Sequence, residues 1–403
     1  MRSLRPAITN LSRRLHPLCA GLALVLLAAC RAVPPAAAAH ADIADGAVLP
    51  LVLLETTDLH SRVLSYDYQA AAADPRWGFE RVATLIGRAR TRYPNNLLFD
   101  VGDTIQGNAL ADYQARVAPL PCDEELAIYR AMDVVGYDAA TLGNHEFNFG
   151  LPFLAQVTGT PMPGIETRRC AGPHFPLVSS NVYAAADGEP LFRPWLIVDK
   201  TLRATLPDGT TRPVALRVGL LGFAPPKIMK WDRANLQERV RVDGAVEAAR
   251  RWLPELEAQH PDLIVALIHG GPDASPYDAD LEDAAWYLAA VPGIDALLMG
   301  HTHALFPGAF GDVPQVDATR GLVRGVPAVM AGYWGRSLGL VHLRLRREGG
   351  RWHSERALAY SELWPVCSAP SICVAPDPRI APLLRELHER VIAHGAKSGQ
   401  ERH

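Results

Sequence analysis

Five short aliphatic runs punctuate the chain, and each gives way to a polar loop that carries glycine or histidine. They are LPLVLLETTDLH (49–60), NNLLFDVGD (95–103), YDAATLGNHE (137–146), PDLIVALIHGG (261–271) and GIDALLMGHTH (293–303). Continuous aliphatic runs of this length, bounded by turn residues, predict strands buried on both faces. Between them apolar residues recur at helical spacing. Val82, Leu85, Ile86 and Ala89 form one such stripe, Ile128, Met132 and Val135 another, and AVEAARRWLPELEA (245–258) a third. Strands alternating with amphipathic helices predict a layered α/β domain. A last stripe, Ile380, Leu383, Leu384, Leu387, Val391 and Ile392, predicts a final helix that needs a surface to pack on.

The first residues stand apart from this pattern. Arg2, Arg5, Arg13 and Arg14 precede the apolar run LCAGLALVLLAAC, which is short for a membrane span and has the layout of a secretory signal. It ends Leu27-Ala28-Ala29-Cys30, which resembles a bacterial lipobox, with Cys30 as the lipidated first residue of the mature chain. Ordinary cleavage near Ala39-His40-Ala41 is the alternative; an uncut signal anchor fits the short run less well. The expected layout is therefore a signal at 1–29, an Ala/Pro-rich linker at 30–47, a catalytic domain at 48–375 and an amphipathic helix at 376–403. The implied location is exported and periplasmic, with membrane contact only through the lipid.

Losing residues 1–29, which hold four arginines and no acids, would move the formal charge from −3 to −7. Such a chain is poorly suited to grasping long nucleic acids, and any phosphate it handles must be neutralised locally. Beyond Cys30 remain Cys122, Cys170, Cys367 and Cys373. In an exported chain they suggest disulfides: Cys367 with Cys373 as the local pair, and Cys122 with Cys170 by elimination. None has metal-ligand spacing.

All five strand ends carry ligand-type residues: Asp58 and His60, then Asp103, then Asn144 and His145, then His269, then His301 and His303. Each alone is weak, but their convergence is hard to produce for structural reasons. Ligands beyond the carboxyl ends of strands are where α/β sheets build sites. Eight nitrogen and oxygen donors exceed the needs of one tetrahedral ion. Two ions about 4 Å apart, sharing Asp103, would use them to clamp a phosphoryl group. The mixed imidazole and oxygen set suits Zn, Mn, Fe or Co. Asp100, inside its strand, reads as structural.

DLH, GDTIQG, GNHEF, an isolated strand-end His and GHTH together resemble the signature of the calcineurin-like metallophosphoesterases. Within them the chain resembles the 5′-nucleotidase group. The nearer likeness is to the bacterial periplasmic 2′,3′-cyclic-nucleotide 2′-phosphodiesterase/3′-nucleotidases, in ETTDLHSRVLSYDY, LLGFAPPKIMKWDRANL, VPGIDALLMGHTHALFPG and GVPAVMAGYWGRSLGL. The resemblance spans roughly residues 50 to 365. It implies an α/β/β/α sandwich with a dinuclear site at the C-terminal ends of strands. One divalent ion would go to Asp58, His60, Asp103 and His303, the other to Asp103, Asn144, His269 and His301.

His145 is then free to stabilise the transition state or protonate the leaving oxygen. The implied reaction opens a nucleoside 2′,3′-cyclic phosphate to the 3′-nucleotide and then removes the 3′-phosphate, by a water activated at two metals. A covalent route has no support, since no Ser or Cys sits in a nucleophile motif. Asn148 stands where 5′-nucleotidases carry an Asp that pairs with the histidine. An amide can orient an imidazole but cannot favour its cation by charge; the plainer reading is a turn cap.

Gly270-Gly271 replaces the Ser-Gly frequent in relatives. Trp231 and Trp334 read as packing residues, and His174, His260 and His342 as ordinary ones. Relatives of this type continue into a second domain that holds the base, and the joining helix resembles the last stripe here, so such a domain would be supplied separately. The competing readings are a 5′-nucleotidase or nucleotide-sugar hydrolase, and a catalytically idle metal-binding lipoprotein fragment.

Overall fold

The computed structural model describes residues 43–162, 170–369 and 371–400. The signal, Cys30 and most of the linker lie outside them.

The first half-sheet is built on β1 (Val48–Thr56), with β2 (Asn96–Asp100) and β3 (Ala139–Ala140) parallel to it in turn. The second contains β4 (Leu196–Thr205) antiparallel to β5 (Thr211–Phe223), followed by the parallel strands β6 (Leu263–Ile268), β7 (Ala296–Met299) and β8 (Val326–Ala331). The chain then returns to the first half as β9 (Ser337–Glu348), antiparallel to β1, with β10 (Tyr360–Pro365) outside it. A single pair, Val48 with Thr205, links the halves through β1 and β4.

Side-chain alternation along the strands explains why the aliphatic runs are continuous. Leu49, Leu51 and Leu53 of β1 share a core with Val214, Leu216 and Val218 of β5 and with Val265 and Leu267 of β6. The halves therefore face each other across an apolar layer. Val52 and Leu54 turn the other way, toward helices α1 (Phe79–Arg92) and α2 (Ala127–Val135). Ile264, Ala266 and Ile268 of β6 likewise turn outward onto α3 (Ala245–Glu257). Helices, half-sheet, half-sheet and helix make the four layers of an α/β/β/α sandwich.

The last stripe folds back on the domain. Helix α4 (Ala381–Gln400) buries Leu384 and Val391, and Ile380 just before it joins the core of α1 and α2. The Tyr68 hydroxyl meets His388 Nδ1 at 2.8 Å, and Arg130 donates to the Leu383 carbonyl. Ile392 remains exposed. At the other end the linker stops earlier than its composition suggests. Gly349 and Gly350 donate their N–H groups to Asp45, and Ala47 is fully buried. Ala- and Asp-rich sequence shows no apolar period there, because what it contributes is backbone pairing. Both disulfides form as expected, Cys122 with Cys170 and Cys367 with Cys373.

Candidate metal centre

Register brings the strand ends level: Thr56 pairs with Asp100, Asp100 with Ala140, and Ile268 with Met299. The pairing of β1 with β2 continues past both strands, since Asp58 N–H donates to Gly102 O and His60 N–H to Asp103 O. Such tight loops demand unusual backbone. Asp58, His60, Asp103, His301 and His303 all have φ between 47° and 78°, a region that costs a non-glycine residue free energy and clusters at functional sites. Neighbouring glycines make the room. A Cβ on Gly143 would lie 2.3 Å from Asp103 Oδ1, and one on Gly300 2.3 Å from Thr57 Oγ1.

Within this cradle the sequence-predicted residues converge. Asp58, His60 and His303 gather ligand atoms within 4.8 Å of one another, as do Asp103, His269 and His301, and also His60, Asp103 and His145. Second partners set which ring nitrogen faces inward. His60 Nδ1 donates to Gln106 O at 2.7 Å and His269 Nδ1 to Val101 O at 2.7 Å, leaving both Nε2 lone pairs toward the centre. His301 Nε2 donates to Glu282 at 3.0 Å, so Nδ1 is its free ligand atom. His303 lies flat on Tyr333, with ring centroids 4.6 Å apart.

Protein groups alone leave this centre unsatisfied. Asp58 Oδ1, Asn144 Oδ1 and His269 Nε2 are buried without a hydrogen-bond partner, which buried polar atoms rarely tolerate. His60 Nε2 accepts from His303 Nε2 at 3.1 Å, so two inward-facing ring nitrogens are set against each other. Burial would push the His269 imidazole down, but Asp103, whose Oδ2 lies 3.1 Å from Nε2, and Asp58 hold it up at about 10: the carboxylates draw a proton to the position where a cation would free the lone pair. Buried carboxylates and inward lone pairs in this number call for cations, and the mixed imidazole and oxygen donor set fits divalent metal ions.

His145 stands at the rim, its backbone N–H on Asp103 Oδ1 at 2.7 Å and its ring edge-on to His60. Its Nδ1 lies 2.5 Å from Asn148 Oδ1. The side chain of Asn148 is thus turned to the imidazole, the first of the two readings left open above. Asp100 is structural in detail: Thr56, Thr104 and the Gly102 N–H all donate to it, while burial pushes its carboxyl up to about 7. Gly270 is fixed by packing, since a Cβ there would meet Glu282 O at 2.5 Å.

A profile described as calcineurin-like phosphoesterase matches residues 51–305. The chain belongs to that family. This phosphoesterase is 37% identical over 346 residues to the 2′,3′-cyclic-nucleotide 2′-phosphodiesterase/3′-nucleotidase of Salmonella typhimurium, covering 86% of the chain and 51% of that relative. The protein of the same description from Yersinia enterocolitica is 40% identical over 317 residues, 78% of the chain and 46% of the relative. The chain therefore spans about half the length of the curated relatives it matches. Among solved structures, the calcineurin-like phosphoesterase YfkN of Bacillus subtilis superposes with a TM-score of 0.77 at 32% identity, over 87% of this chain and 99% of that one.

Sequence reasoning placed one nearby residue wrongly. Trp231 is not a packing residue: it is 45% exposed and lays its ring against His301 at a tilt of 28°. Trp334 does pack, edge-on to Trp77 and beneath the Arg62 guanidinium, and His342 pairs with Glu362 away from the centre. Glu146, Asp232, Glu282 and Tyr333 were missed. Glu146 sits directly after His145 in GNHEF, and Asp232 and Tyr333 lie in the longer stretches KIMKWDRANL and MAGYWGRS; only Glu282 is outside every one of them.

Proposed function

We propose that this phosphoesterase opens nucleoside 2′,3′-cyclic phosphates to 3′-nucleotides and then releases the 3′-phosphate. The observation that carries the reading is the convergence of inward-facing, unsatisfied donors from five strand ends beside one free imidazole, His145. The names of the relatives at 37–40% identity support the substrate class. One divalent ion is assigned to Asp58, His60, Asp103 and His303, the second to Asp103, Asn144, His269 and His301. Bound there, such ions supply positive charge against phosphate oxygens and acidify water.

The protein's own groups do the rest. Water oxygen forms the new bond to phosphorus, and its proton passes to solvent. The bond from phosphorus to O2′ breaks with its electron pair on O2′, which takes a proton from His145 Nε2. The same centre then acts on the 3′-monoester. His60 and His269, each pinned through Nδ1 to a carbonyl, keep the cradle from reorganising as charge builds. Glu282, itself held by Lys227 at 2.8 Å, does the same for His301. The same reading places the domain outside the cytoplasm, tethered through lipid on Cys30; the arginine-led apolar leader and the two disulfides support it.

The test supplies Mn²⁺ or Zn²⁺ and 2′,3′-cyclic AMP and follows products by chromatography. 3′-AMP and then adenosine are expected, with loss on chelation and a drop of roughly 10²–10⁴-fold in His145→Ala. Two bound equivalents of metal without turnover of this or an aryl phosphodiester would overturn the reading.

A further inference from the structure

The amide that holds His145 is itself held. Asn148 Nδ2 donates to Asp232 Oδ2 at 2.6 Å, so an imidazole, an amide and a carboxylate form a line from the metal centre inward. Asp232 lies in the KWDRAN turn between two short helices, Ile228–Trp231 and Arg233–Leu236, and is only 9% exposed. Its other oxygen receives Asn235 Nδ2 at 3.3 Å, and that same amide nitrogen reaches Phe147 O at 3.3 Å. Among the described residues no lysine or arginine forms an ion pair with it. A nearly buried carboxylate whose side-chain donors are two asparagines is placed for direction and not for charge neutralisation.

We propose that Asp232 is the positioning residue of this phosphoesterase: it fixes the Asn148 amide so that His145 presents Nε2 to the leaving oxygen. The directions follow from chemistry. A carboxylate only accepts, so the amide must turn its nitrogen to Asp232 and its oxygen to His145. Facing that oxygen at 2.5 Å, Nδ1 must carry a hydrogen. The remaining nitrogen, Nε2, is then the atom through which the ring exchanges a proton with the site, 3.9 Å from Asp103 Oδ2. Without the carboxylate the amide can turn over and set its NH₂ group against Nδ1–H, which no longer fits. Asn148 and Asp232 together thus do across two residues what a single carboxylate beside the histidine would do.

This inference rests on the hydrolase reading above, and leaving-group dependence separates the two. A departing ribose alkoxide needs the His145 proton, whereas p-nitrophenolate leaves without it. Asp232→Asn is expected to lower kcat on 2′,3′-cyclic AMP by roughly 10–100-fold, the usual cost of losing an outer partner of a site residue. The loss on bis(p-nitrophenyl) phosphate is expected to be smaller by about tenfold, with KM and metal stoichiometry retained. The reciprocal exchange, Asn148→Asp with Asp232→Asn, restores an acceptor toward Nδ1 and a donor behind it, and should recover most of the cyclic-nucleotide rate.

Equal losses on both substrates with metal retained, no loss, or no recovery in the double variant would each overturn the proposal. Should the single variant lose the aryl activity and metal as well, the double variant decides. Wild-type protein that cleaves the aryl diester and leaves the cyclic nucleotide intact would instead overturn the substrate reading.

Discussion

Glu146 shows how much a single buried side chain organises here. Its carboxylate accepts the backbone N–H groups of Asp103 at 2.8 Å, Thr104 at 2.6 Å, Ile105 at 3.2 Å and Gly143 at 2.6 Å. It thereby ties the loop after β2 to the loop after β3, fixing the distance between Asp103 and Asn144. Glu146→Gln turns an N–H group toward donors that need an acceptor. Metal affinity should fall by roughly 10–100-fold, read by calorimetry, and the thermal midpoint of the metal-free protein should fall too, since a buried donor left unpaired costs about 1–3 kcal/mol. An unchanged affinity would show that the loops hold their spacing unaided. The converging residues could be picked out from sequence because each lies in the short polar loop that follows an aliphatic run. Glu146 was in plain view within GNHE, yet a linear motif does not say that it reaches back across the fold. Glu282 lies in a stretch without any motif, and Asp232 lies in KWDRAN, where the likeness marks the segment but not the side chain it holds.

At the scale of elements, the parallel strands β1, β2, β3, β6 and β7 announce themselves, since both faces are buried and a ligand follows each. Strands β4, β5 and β9 pass without notice for the opposite reason. They carry charged residues such as Lys200, Arg203 and Arg344, which break the aliphatic run, and no metal-ligand residue directly follows them. The disulfides also act on elements. Cys122–Cys170 closes a separation of 48 residues around α2, whereas Cys367–Cys373 closes 6. Chain-entropy arithmetic assigns about 4 kcal/mol to the first and about 2 kcal/mol to the second. Urea unfolding of the paired Cys→Ser variants should therefore show the larger loss for Cys122/Cys170. The reverse order would mean that the tip hairpin, and not the long loop, limits stability.

The whole molecule is two half-sheets, and the site belongs to both. Asp58, His60, Asp103 and Asn144 come from loops of the β1 half, while His269, His301 and His303 come from the β6–β7 half. Direct strand pairing between β4 and β1 amounts to Val48 with Thr205, so apolar packing and the ligand cluster carry most of the join. Metal binding should then stabilise the halves as one unit. Hydrogen exchange is expected to slow on chelator removal and metal addition at Asp58, Asp103, His269 and His301 alike. Protection confined to one half would separate the site from the seam.

Five of the converging side chains sit on left-handed backbone. That conformation is held against its own tendency to relax, and the cation is what rewards holding it. Filling the centre with a divalent ion is therefore expected to slow limited proteolysis of these loops relative to the chelated protein, because an ion that binds only the folded arrangement stabilises it.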